Sequence, residues 1–231
     1  MPEKIRVTIL DDHQSIVDGY VYRLSNLPQI EVVATIAVGE ALEPTLKEHP
    51  TDVLLLDVNV PTSANNPNPY PILYTIPRLL QRYSDLSMLV ISMYAERGLI
   101  RGVIDAGAGG YILKDDQAAI RDLASIIISV ASGGIYFSNQ ALQLLTKHQT
   151  GEIGGPLTAR QLEALSLCLS YPNSKTAELA HKMSVSNSTV RNLLSNAYLR
   201  LGVHTRAAAI ARARQLGLIT PDSPTVPRHS L

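Results

Sequence analysis

The chain has 231 residues, 45% of them hydrophobic and 17% charged, which is enough apolar material for one large packed domain or two small ones. No apolar run reaches the roughly 18 residues of a membrane span, and MPEKIRVTILDD lacks the charged-then-apolar pattern of a signal peptide, so a cytoplasmic protein with no membrane partner is expected. The net charge of zero conceals an asymmetry: residues 1–150 hold 11 Lys/Arg and 16 Asp/Glu, whereas residues 151–231 hold 9 and 4. An acidic domain joined to one that seeks polyanions fits this split.

In chain order, five short β-rich runs alternate with helical patterns: IRVTIL (5–10), IEVVATI (30–36), DVLLLD (52–57), SMLVIS (87–92) and GYIL (110–113). Between the first two, Ile16, Val17, Tyr20, Val21 and Leu24 repeat at helical spacing. The alternation predicts an α/β domain over 1–132 with a doubly wound, five-stranded parallel sheet. SGGIYFS and the Gly-rich TKHQTGEIGGP mark a linker over 133–156, and residues 157–219 have helix starts and no strand signal. The proline-rich end, 220–231, reads as a disordered tail.

In an open parallel sheet, chemistry gathers at the carboxyl ends of the strands. Here those ends carry Asp11, Asp12 and His13, then Asp57, Ser92 and Lys114. Three converging carboxylates suit Mg²⁺, and a carboxylate beside that ion can attack phosphorus. Ser92 and Lys114 could then hold the phosphoryl oxygens. His13 is expected to cap a helix or sit at the surface, and Cys168, among leucines at helical spacing, to be a core thiol.

Residues 4–132 resemble the receiver domain of two-component response regulators, through ILDDH, LLLDVNVP, LVISMY and AGAGGYILKDD. The resemblance implies that Asp57 is the phosphoacceptor for a sensor histidine kinase, that Asp11 and Asp12 are metal-site acids, and that the Asn59 backbone carbonyl joins them on Mg²⁺. It makes Ser92 the switch hydroxyl, Lys114 the phosphate-binding lysine, and Tyr111 the aromatic that reorients between states.

The C-terminal segment opens with LTARQLEAL, in which Thr158 and Gln161 have capping-box spacing, and Ser186 with Thr189 repeats the device. From Ser186, Val190, Leu193, Leu194, Ala197 and Leu201 form an apolar stripe. The opposite face shows Asn187, Ser188, Arg191, Asn192 and Ser195, short donors and a cation suited to a major groove, with Lys182 and Arg200 among the flanking cations. A helix over about 174–183 and the MSVS turn complete a helix-turn-helix. The stretch resembles the LuxR-type module of NarL/FixJ regulators, which implies double-stranded DNA and a homodimer on it as partners, the last helix (about 205–216) forming the dimer contact. Leu193 departs from a commonly polar position of that family, and 170–177 is about two residues longer than usual.

The expected function is therefore a DNA-binding transcriptional response regulator, not an enzyme. A receiver controlled by a ligand or partner without phosphorylation is the alternative. A haloacid dehalogenase-like phosphatase is a remote one, because an amide, Asn59, stands where that family has its general acid. The segment after Asp57 is the chain's most individual part. About five extra residues separate it from Ser92 relative to the family, and Pro67, Pro69 and Pro71 predict extended, non-helical backbone over 62–71. Pro77 is expected within the first turn of the next helix, or to kink it.

Overall fold

The structure, a computed structural model, describes residues 4–146 and 157–221. In chain order the elements are β1 (Ile5–Leu10), α1 (Gln14–Ser25), β2 (Ile30–Ile36), a 3₁₀ turn (Gly39–Ala41), α2 (Leu42–Glu48) and β3 (Val53–Leu56). β4 (Pro61–Ser63), β5 (Asn66–Pro69), α3 (Ile72–Arg82), β6 (Ser87–Ser92), α4 (Arg97–Asp105) and β7 (Gly110–Leu113) follow. Then come α5 (Gln117–Arg121), α6 (Leu123–Ala131), β8 (Tyr136–Phe137), α7 (Asn139–Thr146), α8 (Ala159–Ser170), α9 (Thr176–Met183), α10 (Asn187–Leu201) and α11 (Arg206–Gln215).

The main sheet is parallel, with strand order β2-β1-β3-β6-β7-β8. It is covered on both faces, which is why VLLL and MLVI read as unbroken apolar runs. Alternate residues of β3 serve opposite layers: Val53 and Leu55 pack with Val17, Leu24, Ile126 and Ile127, whereas Leu54 and Leu56 pack with Leu42, Ile76, Leu99 and Val103. The second layer continues without a break into the helical domain, taking in Leu162, Leu165, Leu179, Val190 and Ala209.

The sheet has six strands where the apolar runs predict five. β8 is only two residues long, too short to leave a periodic signature, and it follows a Gly-Gly pair that reads as a linker. Gly110 makes the pairing possible: a Cβ there would lie 2.3 Å from the Tyr136 carbonyl oxygen. With α7 behind it, β8 gives regular structure to 133–146, while 147–156 lie outside the described residues. At the other end, Thr220 is buried, and 222–231 lie outside the described residues.

The segment after Asp57 is extended, as its prolines dictate, and it folds back on itself as a separate antiparallel hairpin. Prolines donate no ladder bonds, so side chains do much of the fastening. Thr62 Oγ1 donates to the Asn68 carbonyl at 2.8 Å, and Asn66 Oδ1 accepts from Asn68 N and Nδ2 at 3.2 and 2.8 Å. Pro77 lies inside α3, beyond its first turn, and its missing N–H leaves the Leu73 carbonyl without a helical donor.

Candidate functional site

The sheet's topology brings its charged strand ends together. β1, β3, β6 and β7 lie side by side, and their exits are tied by Asp57 N to the Leu10 carbonyl (2.8 Å) and Lys114 N to the Ser92 carbonyl (2.8 Å). The order reverses between β1 and β3, where a doubly wound sheet opens its crevice. Lys114 sits at the centre, its Nζ 2.7 Å from Asp11 Oδ2 and 2.8 Å from Asp57 Oδ2. All three side chains are at most 5% exposed.

Burial acts on Lys114 against its charge, yet Asp57 and Asp11 more than offset it and hold the ammonium above its usual range. Burial also lifts the Asp57 carboxyl, opposed by Lys114 and reinforced by Asp11. One cation therefore serves two buried carboxylates, while Asp12 stands at the rim. Ligand atoms of Asp11, Asp12, His13 and Asp57 lie within 4.8 Å of one another. This compact, oxygen-rich set with an open side fits a hard divalent cation. His13 occupies the N-cap position of α1 without capping through its side chain; its Nδ1 lies 2.9 Å from Asp12 Oδ1 and 3.3 Å from Asp11 Oδ1.

Ser92 is fully buried, and its Oγ accepts from Tyr94 N at 3.2 Å. Tyr111 is also buried and donates its hydroxyl to the Tyr94 carbonyl at 2.7 Å, so the two residues converge on one loop. Asn59 N approaches Asp57 Oδ1 at 3.4 Å. Tyr20 was legible only as an apolar position of α1. The structure places it close enough to the pocket for Asp11 and Asp57 to add to the effect of burial in raising its hydroxyl pKa. Nothing in helical spacing distinguishes such a residue from ordinary core.

The second region is α10. Ser186 caps it by accepting from Thr189 N at 3.1 Å, and the capping box of Thr158 and Gln161 opens α8. Val190, Leu194 and Ala197 are buried, and Leu193 is half-buried against the same core, so it belongs to packing and not to the polar face. Arg191, Asn192, Ser195 and Arg200 are exposed, Asn187 is half-buried, and the side chain of Ser188 lies outside the described set. Leu199, 73% exposed and one turn beyond Ser195, stands on the polar face, where the apolar stripe gave no reason to look. Lys182 is elsewhere: its Nζ lies 4.2 Å from the centroid of the Tyr171 ring. Arg206 is occupied too, donating to the Ser174 carbonyl at 2.6 Å. Cys168 is a buried thiol whose pKa burial pushes up to about 11. No helix among the described residues is long and apolar enough to cross a membrane.

Comparison with known proteins agrees with this two-part layout. Residues 7–125 match the response regulator receiver domain, and 155–213 match the bacterial regulatory proteins of the luxR family. The transcriptional regulatory protein DegU of Brevibacillus brevis is 29% identical over 94% of this chain and 95% of its own length. The transcriptional regulatory protein MctR of Rhizobium johnstonii is 28% identical over 94% and 96%. Among solved structures, RcsB of Salmonella enterica serovar Typhimurium bound to promoter rprA with phosphomimetic BeF₃⁻ superposes with a TM-score of 0.64, covering 91% of this chain and 98% of that one at 22% identity. The chain belongs to the response regulator receiver family, and its luxR-family helix-turn-helix makes it a two-component transcriptional response regulator.

Proposed function

We propose that the protein accepts a phosphoryl group on Asp57 from a sensor histidine kinase and binds double-stranded DNA through α10, as a homodimer. The observation that carries the first half is the Lys114 ammonium shared by two buried carboxylates at 2.7 and 2.8 Å. An Asp57 oxygen attacks phosphorus as the bond from phosphorus to the donor's imidazole nitrogen breaks. The acyl phosphate brings new anionic oxygens, for the Lys114 ammonium and the Ser92 hydroxyl to bind. The carboxylates of Asp11, Asp12 and Asp57, with the Asn59 carbonyl, would hold Mg²⁺, which supplies charge neutralisation at the phosphoryl oxygens. Recruiting Ser92 toward the phosphoryl group takes its oxygen from Tyr94 N, and the Tyr94 loop also anchors the Tyr111 hydroxyl. That shared loop is the element through which the pocket biases the rest of the receiver.

On DNA, Asn187, Ser188, Arg191, Asn192 and Ser195 face base edges and phosphates, Leu199 offers an apolar contact to a thymine methyl, and Lys182 and Arg200 are phosphate contacts. Exposed Ala207 and Ala211 on α11 allow close packing between two copies. Incubation with a small phosphodonor and Mg²⁺ tests the reading by mass and by duplex affinity. The wild type gains one phosphoryl mass and binds DNA more tightly, and Asp57→Asn does neither. Equal behaviour of the two proteins refutes it.

A further inference from the structure

The hairpin of β4 and β5 has a partner on its outer side. Asn66 Nδ2 donates to the Ser170 carbonyl at 3.0 Å, and the Ser170 hydroxyl donates to the Pro69 carbonyl. Farther along, the Tyr74 hydroxyl donates to the Lys182 carbonyl, with Arg78 Nη1 at 3.4 Å from the same oxygen. The Ser170 and Lys182 carbonyls lie in the last turns of α8 and α9, where a helix has no N–H of its own to offer. The receiver thus supplies donors that these two helix ends need. The Lys182 ammonium itself lies over the Tyr171 ring, a contact within the helix-turn-helix module.

The far end of the seam is shaped to close. A Cβ on Gly98 of α4 would lie 2.8 Å from the Gly217 carbonyl oxygen, and one on Gly217 (φ +62°) would lie 2.2 Å from Glu96 Cβ. Two bare backbones meet there, and beside them Thr220 Oγ1 lies 3.4 Å from the carbonyl of Val58, the residue after Asp57. Meanwhile Arg191, Asn192 and Ser195 stay exposed, so docking leaves the polar face of α10 open.

We propose that the 61–69 hairpin is an intramolecular clasp, which fastens the helix-turn-helix to the receiver while the reading face of α10 remains free.

The test uses the full chain with residues 62–69 replaced by a short Gly-containing turn. A second variant, Asn66→Ala with Tyr74→Phe, keeps the hairpin backbone should the first misfold. Small-angle scattering should show a larger radius of gyration for both, the first more than the second. An unchanged radius of gyration in both variants overturns the clasp.

Discussion

The acceptor pocket and the polar face of α10 use charge in opposite ways. In the pocket, Asp11, Asp57 and Lys114 are buried, and each is stable only because the others are there. On α10, Arg191, Asn192 and Ser195 are exposed, and each owes its position to the helix alone. A buried set fails collectively when one member goes, whereas an exposed set loses its members one at a time. The pocket is thus suited to switching, and the face to summing modest contacts.

The sharpest break comes from Lys114→Met. It leaves two buried carboxylates without their cation and should lower unfolding stability by about 3 kcal/mol, read by urea denaturation at neutral pH. The loss should shrink as pH falls and the carboxylates protonate, and Mg²⁺ should recover part of it. An equal loss at all pH values would mean that lost packing, not charge, is responsible.

On the other side of the comparison, Arg191→Ala should leave stability within about 0.5 kcal/mol and weaken duplex binding by about 1–3 kcal/mol. A stability loss matching that of Lys114→Met would erase the distinction between the regions. Next in size, Ser186→Ala removes the cap that accepts from Thr189 N and should cost about 1 kcal/mol of stability.

The smallest effect is expected at the Arg6–Asp52 pair, where Arg6 Nη2 lies 2.6 Å from Asp52 Oδ1. Hydrogen bonding from the Arg6 side chain, against a smaller opposing effect of burial, holds the Asp52 carboxyl below its usual range. A depressed folded pKa stabilises above the unfolded value, and the contribution disappears as pH falls through the folded one. The advantage of wild type over Asp52→Asn should therefore be constant near neutrality and decline below about pH 4. A difference that grows on acidification would reverse the assignment.

Much of the pocket was legible because strand ends in a parallel sheet converge by topology, so a carboxylate or lysine just past an apolar run is already placed. The caps of α8 and α10 were legible for a local reason, three-residue spacing. The exposure of Leu199 escaped the pattern because an apolar residue off the stripe carries no sequence mark of where it points, and β8 because two residues cannot display a period. Lys182 read as a DNA contact on charge alone; its position over Tyr171 depends on the fold.

By itself, the sequence determined the alternation of strands and helices, the helix caps, the acidic strand ends and the extended backbone after Asp57. All follow from spacing and φ/ψ restriction within a few residues. Only the tertiary structure decided that the prolines close into a hairpin and that Asn66 and Tyr74 meet the ends of α8 and α9, 104 and 108 residues away. A backbone carbonyl at a helix terminus is the same acceptor whatever its side chain, so no residue pattern announces which distant donor will satisfy it.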